Sequence, residues 1–203
     1  MCKTRRKMRM IKTLKTALRT AMVTLMITGV VYPLSVTVVA RFLFPEKASG
    51  SLITDQTGEI RGSSLNGQSF TLPCYFQPRP SAAGDGYDAM ASGGSNLGPA
   101  STELKARMEK DLARLEKENP GAGGPVPLEL LTASGSGLDP HISPNAAFWQ
   151  IPRIASARNA DAGKIRKLVE RFTQGRDFGV LGEPRVNVLH LNLALDRDFG
   201  GSP

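Results

Sequence analysis

"TAMVTLMITGVVYPLSVTVVA", residues 20–40, carries no charged side chain. At 1.5 Å per residue its length gives a helix of roughly 31 Å, close to the hydrocarbon thickness of a bilayer. An uncharged run of that length is unusual in the core of a small domain, so the stretch is expected to span a membrane. Pro33 is tolerable inside such a helix and is expected to kink it. A cleaved signal peptide is the competing reading, because Val38-x-Ala40 resembles a small-residue cleavage pattern. The apolar run is longer than the roughly 7–15 residues of a signal, which favours a retained anchor.

On its N-terminal side lie Lys3, Arg5, Arg6, Lys7, Arg9, Lys12, Lys15 and Arg19, with no acid among residues 1–19. Only Arg41 directly follows the run, so the charge bias places the N-terminus in the cytoplasm and the bulk of the chain outside. The tail also explains the net charge of +8. Removing its eight cations from the chain's 26 Lys+Arg leaves 18, equal to the 18 Asp+Glu. The body is therefore neutral, and nucleic acid is excluded as a partner on charge. The organisation expected is a basic cytoplasmic tail (1–19), a transmembrane helix (20–44) and a single small extracytoplasmic α+β domain (45–203). Cys2 and Cys74 then fall on opposite sides of the membrane and cannot pair within one chain, leaving Cys74 as an ordinary buried thiol.

Along the outer part, "RFLFPEKASG" (41–50) reads as a juxtamembrane segment ended by Pro45. "GSLI" and "EIRGSS" are short strands around a turn at Gln56-Thr57-Gly58. "TLPCYFQPRP" is extended, with prolines confining it to an edge or a loop. Residues 81–100, rich in Gly, Ser and Ala, form a long loop. A helix is expected over 101–118, with Ser101 as N-cap, a stripe of Leu104, Met108, Leu112 and Leu115, and Asn119-Pro120-Gly121 as its stop. A second begins at Ser143-Pro144 and runs until Pro152 perturbs it. A third spans 161–173, facing the core with Ile165, Leu168, Val169 and Phe172. "VNVLHLNLALD" (186–196) is apolar and β-branched at its start, so 186–191 is read as a strand. Three helices and short strands make an α+β domain.

"TASGSGLDPHISP" (132–144) holds two serines, an aspartate and one of the chain's two histidines. Those side chains suggest a membrane-anchored periplasmic serine hydrolase using Ser134 or Ser136 with His141. The stretch lacks the G-x-S-x-G elbow, and so does Ser95 in "GGSNLG". Turn and cap chemistry accounts for it better: Gly135 and Gly137 permit positive φ, Asp139-Pro140 starts a turn, and Ser143-Pro144 starts a helix. Histidines at 141 and 190 with one outer cysteine offer no recognised metal spacing. "GGSNLGPAS" lacks the Lys-Ser/Thr of a P-loop. The pattern fits an accessory subunit of a membrane complex better than an enzyme.

"GSLI", "RGSSLNGQSF", "YFQPRPSA", "ASGGSNLGPAS", "PVPLELLTASGSGLDPHISP", "AFWQIPRIASAR" and "LGEPRVNVLHLNLALD" follow one another in order. Together they resemble KdpC, the family of C subunits of the Kdp potassium-transporting ATPases, from residue 20 onward. The basic tail and the "GAGG" of 121–124 depart from the family pattern without touching these motifs. The resemblance implies a complex importing K+ with ATP. Its partners are a channel-like subunit, a P-type subunit that splits ATP, and a very small single-helix chain. The C subunit is implied to be a non-catalytic single-span protein of the inner membrane, needed for assembly and activity. It is described as a catalytic chaperone raising the pump subunit's ATP affinity in a ternary complex. If ATP is contacted directly, Gln150, Ser134 and Ser136 are the candidates. If the loops instead shape a docking surface, Gly93, Gly94, Ser95, Asn96, Asp139 and His141 are. The expected topology places the domain where ATP is scarce and favours indirect coupling through the membrane subunits. No cofactor is expected on this chain alone.

Overall fold

The computed structural model describes residues 2–55 and 57–200, with side chains from residue 9 onward. The chain divides into two compact units, the first ending at Ser51 and the second beginning at Leu52.

The first unit is helical. Helix α1 (Cys2–Met26) passes through a π-type turn (Ile27–Val31) into α2 (Tyr32–Leu43). Arg9–Leu43, 35 residues, is long and apolar enough to cross a membrane. A π-type turn stands immediately before Pro33, where a kink was expected. Pro33 has no N–H, and in the wider turn before it the Tyr32 N–H bonds to Ile27 O while Val31 and Tyr32 keep helical dihedrals. Threonine hydroxyls fold back onto the backbone, Thr28 Oγ1 donating to Thr24 O (2.8 Å) and Thr37 Oγ1 to Pro33 O (2.7 Å). Such bonds satisfy polar groups where no water is available. Pro45 forces Phe44 out of the helical region (φ −137°, ψ 60°), which ends α2. A single turn, α3 (Pro45–Ala48), follows.

The second unit is α+β, as expected. β1 (Leu52–Thr54) and β2 (Ile60–Ser63) form an antiparallel hairpin; Gln56 of its expected turn lies outside the described residues. α4 (Thr102–Glu118) is capped by Ser101, whose hydroxyl accepts the Leu104 N–H. Of its apolar stripe only Leu115 is fully buried, while Met108 and Leu112 pack partly against the core. β3 (His141–Ile142), β4 (Thr173–Gln174) and β5 (Arg185–Asn187) make a second sheet in the order β3-β5-β4, both pairs antiparallel.

Two expectations are corrected. Helix α5 (Pro144–Arg158) is not stopped by Pro152; it continues two turns further, to an Asn159 cap in the left-handed conformation. Ile151, Arg153 and Ile154 around the proline are buried, and tertiary contacts compensate for the one lost helical bond. Gly121 gives room for this, since a Cβ there would sit 3.3 Å from Pro152 Cβ. The second correction concerns residues 186–191. Only Arg185–Asn187 is strand, and α7 (Val188–Phe199) starts at once, with the Asn187 side chain accepting the His190 N–H. Asn187 ends the sheet and caps the helix in one residue. With α6 (Ala162–Phe172), capped by Asp161, the described residues of the unit therefore form four long helices rather than three.

The core gathers Trp149, Ile151 and Ile154 of α5, Ile165, Leu168 and Val169 of α6, Leu191 and Leu195 of α7, and Phe76. Phe76 belongs to the proline-rich segment, which is a loop threaded through the interior. With no strand beside it, its backbone is satisfied by two buried amide side chains. Asn192 accepts from the Phe76 N–H (2.9 Å) and donates to its carbonyl (3.0 Å); Gln150 does the same for Gln77 (2.8 and 3.1 Å). Leaving such groups unpaired in the interior costs about 1–3 kcal/mol each.

Candidate functional site

The two glycine–serine loops, 91–98 and 132–140, meet in the second unit. Ser136 O accepts both the Gly93 N–H (2.9 Å) and the Ser92 hydroxyl (3.0 Å). Ser81 Oγ donates to Gly137 O (2.6 Å) while accepting the Ala83 and Tyr87 N–H groups. Gly137 lies at φ +67°, and a Cβ there would fall 2.6 Å from Ala83 N and 2.7 Å from Gly93 O. The approach is possible only for glycine. Tyr87 donates its hydroxyl to Arg79 O, and burial pushes its pKa up to about 12, against the opposing charge of Arg114.

Asp139 organises the junction with β3. Its Oδ1 accepts the His141 N–H (3.0 Å) and lies 3.4 Å from His141 Nδ1; its Oδ2 accepts from Arg79 Nη1 (3.2 Å). Burial acts to raise the Asp139 pKa, but the bonds from His141 and the Arg79 charge outweigh it and leave the carboxyl below its ordinary value. Arg79 and Asp139 line two recesses. One, about 440 Å³, is also lined by Asn66, Ser92, Ser134 and Ser136. The other, about 280 Å³, also exposes Glu129, His141, Glu183 and Arg185. Glu129 holds the start of α5, accepting both the Ser143 N–H (3.1 Å) and its hydroxyl.

The structure thus brings Gly93, Gly94, Ser134, Ser136 and Asp139 to one rim, with His141 beside Asp139. Ser95 is half-buried on the same loop, and Asn96 is exposed at φ +52°. Gln150 is elsewhere. It is fully buried, and besides bonding Gln77 it accepts from Arg153 Nη2 (2.8 Å) and donates to Ala146 O (3.3 Å). All of its amide valence is used inside the chain, so it presents nothing at the surface. Arg153 is itself buried, donating to Asn119 and Pro73; burial lowers its pKa to about 10, against the pull of Glu118.

Among the described residues no serine hydroxyl bonds to His141; Ser136 Oγ accepts the Leu138 N–H (3.1 Å) instead. Nor do the described residues contain three His, Cys, Asp or Glu side chains grouped to hold a metal. His190, one helical turn past its Asn187 cap, is half-buried; burial and the neighbouring His141 push its pKa below the ordinary value. Sequence reasoning missed Arg79, Ser81, Tyr87 and Glu129. A signal for Arg79 was present, since Pro78 and Pro80 on either side hold its backbone extended toward the loops.

Fold and site define a class of protein: a small α+β unit built around interlocked glycine–serine loops, in a chain with one N-terminal helix able to cross a membrane. Residues 14–197 match the family model described as "KdpC: K+-transporting ATPase, c chain". The potassium-transporting ATPase KdpC subunit of Myxococcus xanthus is 57% identical over 194 residues, covering 96% of this chain and 92% of that protein. That of Rhodospirillum rubrum is 52% identical over 190 residues, covering 94% and 98%. That of Methylorubrum extorquens is 57% identical over 181 residues, covering 83% and 89%. The chain belongs to the KdpC family, the C subunits of K+-transporting ATPases.

Proposed function

We propose that the chain is a non-catalytic accessory subunit of a high-affinity, ATP-driven potassium import complex, needed for its assembly and activity. Residues 20–44 anchor it in the inner membrane, the tail of residues 1–19 lies in the cytoplasm, and residues 45–203 lie outside. Eight cations and no acid before the span support that orientation. The partners are a channel-like K+-binding subunit, a P-type subunit that hydrolyses ATP, a small single-helix subunit and the bilayer.

The observation that carries this reading is the rim of loops 91–98 and 132–140. The Ser92 hydroxyl and the Gly93 N–H bond to Ser136 O, Ser81 clamps Gly137, and Asp139 is held by Arg79 and the His141 N–H, which supports a surface of fixed shape. A fixed surface lowers the ordering cost of association and suits docking on the channel-like subunit. The chaperone role is then a coupling free energy: docking biases the membrane subunits toward the state in which the pump subunit binds ATP more tightly. ATP is met only in the ternary complex, through that subunit.

A photo-crosslinker attached at Ala91→Cys, an exposed rim position, tests this in complexes purified through a tag on this chain. The expected result is co-elution with the channel-like and P-type subunits and cross-links to the channel-like one. Elution alone, or cross-links only to the pump subunit's nucleotide domain, would contradict it.

A further inference from the structure

The helix that carries the span is longer than a bilayer requires. The uncharged run begins at Thr20, yet α1 is already helical from Cys2, so several turns continue beyond the hydrocarbon. Those turns are two-faced. Arg9, Lys12, Lys15 and Arg19 recur at spacings of three and four and share one side. Met10, Leu14 and Leu18 recur every four and share the other. All seven side chains are exposed; Met10 and Leu14 each have 68% of their surface free. No acid lies within residues 1–19 to pair the cations internally. Arg9 and Lys12 precede residue 14, where the match to the family model begins.

We infer that residues 9–19 form an interfacial lipid-binding element: Arg9, Lys12, Lys15 and Arg19 bind the phosphates of anionic headgroups, Leu18 sits at the acyl boundary, and Leu14 and Met10 lie among the headgroups. This inference rests on the membrane-anchor reading. Three observations favour lipid as the occupant. The segment is continuous with the span, so its first turn emerges at headgroup level. Its charge is of a single sign, complementary to an anionic leaflet. Its apolar face matches an interface that is itself half apolar, as in basic amphipathic helices lying on membranes. The long stems of Lys and Arg allow the charges to reach phosphates while the helix stays tilted.

The test uses the full chain carrying Leu14→Trp, reconstituted in vesicles of phosphatidylcholine and phosphatidylglycerol, with one lipid or the other brominated. Both leaflets share one composition, so orientation does not enter. Quenching of the new tryptophan by brominated phosphatidylglycerol is expected to exceed that by brominated phosphatidylcholine roughly fivefold at equal mole fraction. The preference should vanish in high salt and in R9Q/K12Q/K15Q/R19Q. Equal quenching by both lipids, or a preference that survives the four substitutions, overturns the inference. So does a purified complex in which Lys12 and Lys15 cross-link to an acidic surface of a partner subunit and the lipid preference is gone. Failure of the chain to float with vesicles of phosphatidylcholine alone is a different result, and refutes the anchor itself.

Discussion

Gly137→Ala isolates the contact on which the loop rim depends. The added methyl would lie 2.6 Å from Ala83 N, 2.7 Å from Gly93 O and 2.9 Å from Ala83 Cβ, and two of these neighbours are backbone that cannot rotate away. Holding alanine at φ +67° costs about 1–2 kcal/mol, and forcing the methyl into closed packing about 1–3 kcal/mol more. A loss of roughly 2–5 kcal/mol corresponds to a fall in Tm of about 5–15 °C for a unit of this size. Thermal unfolding of the full chain in detergent, followed by the fluorescence of the core residue Trp149, reads this directly. Gly98→Ala is the control, since no heavy atom lies within 4 Å of its Cβ position and its φ is not left-handed. It should change stability by less than about 0.5 kcal/mol. If Gly137→Ala unfolds at the same temperature as Gly98→Ala, the interlocking of the two loops is not what holds the rim.

Two further outcomes follow from the buried groups. Gln150→Leu keeps the volume but strands the Gln77 N–H, the Gln77 carbonyl and one Arg153 donor, at about 1–3 kcal/mol for each group, so Tm should drop by roughly 8–25 °C. Unchanged Tm with an altered ATP dependence of pump activity would instead mark Gln150 as a nucleotide contact. His190 titrates below its ordinary value of about 6.5 when folded. Its contribution is therefore intact above that pH and lost as pH falls through the folded pKa, because the unfolded chain takes up the proton first. His190→Gln should flatten the stability profile as pH falls below about 6.5; an unchanged slope refutes that role.

Much of the architecture was legible because local chemistry and tertiary packing agree. The β1–β2 hairpin, the Ser101 and Ser143-Pro144 starts and the amphipathic faces of α4 and α6 each carry their own signal. The errors arose where tertiary contacts overrode local propensity. Pro152 is a helix breaker that α5 absorbs, because Arg153 and Ile154 are fixed from outside the helix. Val186 and Val188 favour a strand, yet Asn187 between them caps a helix while its Nδ2 donates to Ser64 O (2.9 Å), a bond 123 residues away in sequence. The rim was half legible. The turn chemistry of "TASGSGLDPHISP" was legible in the sequence, but its partners Arg79, Ser81 and Ser92 come from distant segments that no local pattern joins.

High-affinity K+ uptake is the most direct measure of the account. In cells lacking only the gene for this chain, uptake at micromolar external K+ should be abolished and should return when the full chain is supplied. Normal uptake in the deletion would contradict its role as a required subunit of the transporter.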